Sequence, residues 1–105
     1  MEIKFEKEYL QELYEAGKAT DKRYRFQPDV VKRYQVRIRI LERASKIEDL
    51  FTLNSLHYEV LKGDKQGISS IRVNDQYRIE FKTSQVVSET VAIICDILEL
   101  SKHYK

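Results

Sequence analysis

Residues 61–81, LKGDKQGISSIRVNDQYRIEF, constrain the fold more than any other stretch of this chain. A basic turn punctuated by Gly63 and Gly67 leads into two short runs that meet at Asn74, Asp75 and Gln76. Ile71 and Val73 alternate with polar residues on the first run, and Tyr77, Ile79 and Phe81 on the second, which is the period of a half-buried strand. All five share one face only if Val73 stands opposite Tyr77 and Ile71 opposite Ile79. The loop then has three residues, an accepted hairpin length. A two-residue loop opposes Val73 to Gln76 and sends Tyr77 and Ile79 to the wrong face.

That register sets Arg72 directly opposite Arg78 on the other face of the hairpin, and like charges in a cross-strand pair are destabilising. Either both guanidinium groups are solvated, or an anion sits between them. Lys62 and Lys65 in the preceding turn favour the anion. Phosphate is the natural one, because the arginine fork matches its geometry.

The rest of the chain supplies helices and further strands. Met1-Glu2-Ile3-Lys4-Phe5 alternates as a short edge strand. Leu10, Leu13, Tyr14 and Gly17 follow at helical spacing, with Gly17 as the C-terminal stop. Residues 18–26 read as a loop. Pro28 opens the longest helical pattern and Asp29 complements its positive end. Val30, Tyr34, Ile38, Leu41 and Ala44 form one apolar stripe. The other positions carry Lys32, Arg33, Arg37, Arg39 and Arg43, a solvated face with room for RNA backbone or an acidic partner. Residues 47–53 read as an extra helical turn, 56–61 as a strand, and 82–88 as a loop. Residues 91–98 are nearly continuously apolar, as in a strand buried on both faces. Helices first and strands afterwards argue an α+β fold, with helices packed on a mainly antiparallel twisted sheet over residues 1–105 as a single domain.

Composition bounds the function classes. With 34% charged and 42% apolar residues the chain is globular. No apolar run has the length of a membrane span and no signal-peptide pattern opens the chain. The net charge of +2 does not by itself imply nucleic acid; the clustering of lysine and arginine matters instead. The single cysteine, Cys95, lies in an apolar run as a small core residue and forms no intrachain disulfide, which suits a reducing cytoplasm.

Neither His57 nor His103 lies in a metal-ligand spacing, so any catalysis is expected to need no metal and no cofactor. Gly63 and Gly67 lack the flanking pattern of a nucleotide-binding loop. What remains is a basic set: Lys62, Arg72, Arg78, His103 and Tyr104, with His57 as an outlier. RNA is cleaved without metal when its own 2′-hydroxyl attacks the adjacent phosphorus. That reaction needs a base, cations for the charge growing on the phosphoryl oxygens, and an acid for the leaving 5′-oxygen. This set can supply all three.

Leu61-Lys62-Gly63-Asp64, Gly67, Ser70-Ile71-Arg72-Val73 and Asn74-Asp75-Gln76-Tyr77-Arg78-Ile79 resemble the HigB-type toxins of bacterial toxin–antitoxin pairs, in the RelE/ParE superfamily. The resemblance covers roughly the second half of the chain and implies the same α+β architecture. It implies a ribosome-dependent endoribonuclease that cuts messenger RNA and is held inactive by a cognate helix-turn-helix antitoxin of the HigA type. By position it carries over to Arg78, matching the family's arginine at the start of the second hairpin strand, where it contacts the scissile phosphate. Lys62 matches a basic position bordering that site, with Lys65 and Arg72 beside it. His57 lies near the family's histidine, but two extra residues separate it from Lys62. The other reading is a structural histidine at a strand start.

The C-terminus departs from the family, whose members often end in Tyr-His after an acidic residue; here the order is His103-Tyr104. By chemistry His103 is the proton donor or acceptor near neutral pH, and Tyr104 an aromatic for stacking on a base. The bland reading of both is a frayed tail. Two other functions share the fold: a ParE-like inhibitor of DNA gyrase, and a catalytically silent RNA- or partner-binding domain.

Overall fold

The computed structural model describes residues 1–88 and 91–102. Two helices, α1 (Glu8–Ala16) and α2 (Pro28–Arg43), pack on a five-stranded sheet. Its strands are β1 (Glu2–Phe5), β2 (Glu59–Val60), β3 (Ser69–Arg72), β4 (Tyr77–Val87) and β5 (Val91–Lys102), in the spatial order β1-β5-β4-β3-β2. β1 runs parallel to β5, and every other pairing is antiparallel. Among the described residues four 3₁₀ turns fill the connections, at Lys22–Tyr24, Ile47–Leu50, Asn54–Leu56 and Gly63–Lys65. Among the described residues no helix is long and apolar enough to cross a membrane.

The hairpin adopts the expected register: Ile71 pairs with Ile79 and Arg72 with Arg78. Val73 N–H donates to the Tyr77 carbonyl at 2.9 Å, and the Asn74 side chain caps the turn by accepting from the Gln76 and Tyr77 amides. Ile71, Val73, Ile79 and Phe81 are fully buried and Tyr77 half-buried against them. The α2 stripe of Val30, Tyr34, Ile38, Leu41 and Ala44 meets this face, with Leu10 and Leu13 of α1 in the same core. The Tyr34 hydroxyl, deep in that core, donates to the Leu10 carbonyl at 2.7 Å and ties the helices together.

Gly17 ends α1 at φ 74°, its N–H donating to the Leu13 carbonyl at 3.1 Å. A left-handed residue with a Cβ costs about 1–2 kcal/mol. Gly17→Ala is therefore expected to lose about that much stability in urea denaturation, and Gly17→Asn less.

Three expectations need correction. Residues 82–88 are not a loop: β4 continues to Val87, paired with the first half of β5. Every residue from 82 to 87 is exposed, so no buried face stamps an alternation on the sequence there. β5 is not buried on both faces, because the helices cover only one. Cys95 and Ile97 are buried, whereas Ile94, Asp96 and Leu98 are half-buried and Val91 is 60% exposed. The strand read over 56–61 shrinks to Glu59–Val60, because Asn54–Leu56 makes a 3₁₀ turn capped by His57.

A bulge shapes the site side of β5. Glu80 pairs with Glu99 but the next residue, Phe81, pairs with Ile97, so Leu98 is extra. The apolar spacing of Cys95, Ile97 and Leu100 is two and then three residues. One inserted residue is what brings all three to the helix face. Burial pushes the Cys95 thiol up to about 12, so it is a core side chain and not a nucleophile.

Candidate active site

On the face away from the helices, β3 contributes Ser70 and Arg72, β4 contributes Arg78 and Glu80, and β5 contributes Glu99 and Ser101. The pairings Ser70–Glu80, Arg72–Arg78, Arg78–Ser101 and Glu80–Glu99 follow from the register. A cavity of about 240 Å³ opens here, lined by Arg78, Glu80, Ser70 and Ser101, with Glu59, Leu61, Lys62, Lys65 and Lys102 around it. Four cationic side chains face two carboxylates, which leaves the cavity net positive.

Arg78 is only 9% exposed. Its Nε donates to Ser70 Oγ at 2.9 Å and its Nη2 to the His57 carbonyl at 2.5 Å, with the Glu59 carboxylate 3.5 Å away. Desolvation lowers its pKa, Glu59 works against that, and Arg72 adds to the lowering. An arginine remains charged through such shifts. Of its five N–H groups, the described residues engage the Nε donor and one on Nη2, which leaves donors for a bound oxyanion.

Glu80 is 8% exposed, and its Oε2 accepts from Lys65 Nζ at 2.7 Å and Ser101 Oγ at 2.9 Å. Glu99, directly across the strand pair, is served separately by Lys7 Nζ and the Tyr9 hydroxyl, each at 2.5 Å. Two opposed carboxylates are unfavourable unless each has its own cation, and here each does. Burial, then the bond to Glu99, pushes the Tyr9 phenol well above its usual value and keeps it a neutral donor. A wider depression of about 700 Å³ runs along Lys7, Glu8, Tyr9, Glu12, Thr20, Asp21 and Tyr24. Three acids against one lysine make it a poor seat for a polyanion.

Across residues 3–96 the chain matches the family model described as a RelE-like toxin of the type II toxin–antitoxin system HigB. The chain belongs to the HigB-like toxin family. It is 35% identical to Toxin HigB-1 of Vibrio cholerae serotype O1 over 83 residues, spanning 78% of this chain and 83% of that one. The YoeB/ParE toxin from Agrobacterium tumefaciens has the same fold, with a TM-score of 0.60 at 20% identity over 99% of this chain and all of that one. Membership of a type II system implies a cognate antitoxin as partner.

Of the residues singled out in this HigB-like toxin, Arg78, Lys62 and Lys65 meet at the cavity. Arg72 does not: its guanidinium turns to Asp75 in the hairpin loop, which compensates its charge without an anion shared with Arg78. His57 is not at a strand start. It caps a 3₁₀ turn in the left-handed region, φ 46° and ψ 53°, and its carbonyl accepts from Arg78 Nη2. Arg37 is not part of a fully solvated helix face. Its Nε donates at 3.0 Å to the Arg72 carbonyl, beyond the reach of β2, which pairs only with Ser69 and Ser70. Burial, then Arg33 and Arg72, lower its pKa. His103 and Tyr104 lie outside the described residues.

Glu80 and Ser70 were missed by sequence reasoning although the signal was present, since the hairpin register puts both on the Arg78 face. Ser101 carried no such signal, because its position opposite Arg78 depends on the bulge in β5.

Proposed function

We propose that this toxin is a ribosome-dependent endoribonuclease acting in the cytoplasm, cleaving messenger RNA without a catalytic metal. The observation that carries this reading is the convergence of Arg78, Lys62 and Lys65 on one cavity, with Arg78 oriented by Ser70 and the His57 carbonyl. The 2′-oxygen attacks phosphorus, the bond from phosphorus to the 5′-oxygen breaks, and the proton lost from the 2′-hydroxyl is balanced by one delivered to the leaving oxygen. Arg78 stabilises the charge on the phosphoryl oxygens, and the lysines hold the flanking backbone. Glu80 fixes Lys65 toward the cavity. Lys102 lines the cavity and His103 and Tyr104 follow it in sequence, so His103 is assigned the proton exchange and Tyr104 stacking on a base.

The test is purified toxin added to ribosomes programmed with a defined message. The expected products are an upstream fragment ending in a 2′,3′-cyclic phosphate and a downstream fragment with a 5′-hydroxyl. A 5′-phosphate on the downstream fragment rules out attack by the 2′-oxygen. An intact message together with inhibited DNA gyrase transfers the assignment to gyrase poisoning.

For the antitoxin, of the helix-turn-helix HigA type in this reading, the exposed cations Lys32, Arg33, Arg39 and Arg43 of α2 offer a complementary surface. Reversing Arg33 and Arg39 to glutamate is expected to slow antitoxin association roughly tenfold at low salt, the scale of electrostatic steering. The difference should close as salt rises. Unchanged association at low salt excludes this surface.

A further inference from the structure

Past Phe81, β4 and the first part of β5 leave the sheet as a two-stranded ribbon. β3 pairs no further along β4 than Ser69 with Phe81, and β1 reaches only to Ile94 of β5. Among the described residues, 82–87 pair with β5 alone, and all of them are exposed. Val73 N–H donates to the Tyr77 carbonyl, so Tyr77, Ile79 and Phe81 turn their backbone groups toward β3. The same alternation turns the N–H and C=O of Thr83, Gln85 and Val87 outward, beyond the reach of β3. Across the ribbon the Ile97 carbonyl accepts from Glu6 N–H, which by alternation leaves only Val91 and Ile93 outward on β5. Natural sheets blunt their open edges with short strands, charges or proline. Here β2 has two residues, and β1 carries Glu2 and Lys4. The 82–87 edge is long, lacks proline, and has one charge, Lys82, which stands opposite Asp96 of its own β5. Val87 on it is 70% exposed.

We propose that this edge pairs with the same edge of a second copy of the chain, antiparallel about a twofold axis at Gln85. Residues opposite each other in such a pair leave the same face of the sheet, so their numbers differ by an even count. Centring on Gln85 opposes Thr83 to Val87 of the second copy and Gln85 to itself. Each of these pairs then exchanges both of its N–H···O=C bonds, and every outward group of Thr83, Gln85 and Val87 is used. Centring on Ser84 joins Thr83 to Gln85 and leaves Val87 without a partner. In the Gln85 register Ser84 meets Val86 and Lys82 meets Ser88, so no like charges are opposed. The pairing also adds strands to a ribbon that is marginal as two. Charge favours this occupant over an antitoxin strand. A partner recognised by charge finds its cations on α2 and at the Arg78 cavity, whereas the nearly uncharged edge complements itself. The contact is small, so the dimer is a reversible one. Its axis passes through the sheet, and both basic cavities therefore open on the same side.

The experiment is sedimentation equilibrium of the purified toxin across micromolar to millimolar concentrations. Wild type is expected to show a reversible monomer–dimer equilibrium. Gln85→Pro removes an outward N–H, a change that edge strands tolerate. It should weaken the dimer roughly 5- to 100-fold, for one hydrogen bond lost from each copy. Gln85→Lys and Gln85→Glu should each weaken it about two- to fivefold, because each sets like charges opposite each other. An equimolar mixture of those two variants should recover at least wild-type affinity as a heterodimer. That rescue reads the self-opposed register directly and does not depend on how Gln85→Pro folds. A wild type that stays monomeric throughout overturns the proposal, as does a dimer that all three substitutions leave unchanged. Assembly beyond the dimer overturns it as well, since a twofold contact closes on itself. A monomeric wild type whose antitoxin affinity falls with Gln85→Pro gives the edge to an antitoxin strand instead.

Discussion

Arg78→Ala is expected to reduce cleavage of a ribosome-bound message by roughly 10²–10³-fold, the loss typical of a donor that acts on developing charge. Truncation leaves Ser70 Oγ and the His57 carbonyl without their arginine donor. Because the cavity is open, water can replace it, and the cost to folding should stay at about 1–2 kcal/mol. A thermal melt separates the two effects: a variant folded near the wild-type midpoint yet nearly inactive supports a chemical role. Arg78→Lys keeps a charge but lacks the planar fork that serves Ser70, His57 and a phosphate together. It should fall between the two. His103→Ala is expected to lose about 100-fold, as general acid–base groups do. Undiminished cleavage by Arg78→Ala would remove the arginine from the mechanism.

The largest expected effect on stability comes from Phe81→Ala. Phe81 has no exposed surface, stands opposite Ser69 and Ile97, and packs near Tyr58. Emptying such a site costs about 3–5 kcal/mol. Domains of this size are stable by only about 5–15 kcal/mol, so the variant forfeits roughly a fifth or more of its margin. Urea denaturation should show a lower midpoint with an unchanged slope. Phe51→Ala, at an exposed ring, should shift stability by no more than about 0.5 kcal/mol. A loss at Phe81 no larger than that at Phe51 contradicts the packing described for the core.

Much of the core was legible because local periodicity and burial agree in it. Val30, Tyr34, Ile38, Leu41 and Ala44 repeat at helical spacing and all five are buried, the first four on α2 and Ala44 at its C-cap. Gly17 stops α1 where a left-handed residue is required. Pro28 opens α2 at its first position. The second half of β4 was illegible for the opposite reason. With no buried face from 82 to 87, its strand state depends on β5, a partner whose pairing no local pattern announces.

The site divides in the same way. The sequence by itself determined the hairpin register, because only one pairing buries Ile71, Val73, Tyr77, Ile79 and Phe81 together, and with it the placing of Arg72 and Arg78 on the opposite face. Only the tertiary structure decided what those arginines do. A strand's alternation sets the side of the sheet a residue leaves from, whereas its hydrogen-bond partners depend on which distant segments arrive there. Asp75 takes Arg72 out of the cavity, while Ser70 and the carbonyl of a left-handed His57 draw Arg78 into it. Ser101 joins the wall opposite Arg78 because one extra residue in β5 reconciles an apolar spacing of two with one of three.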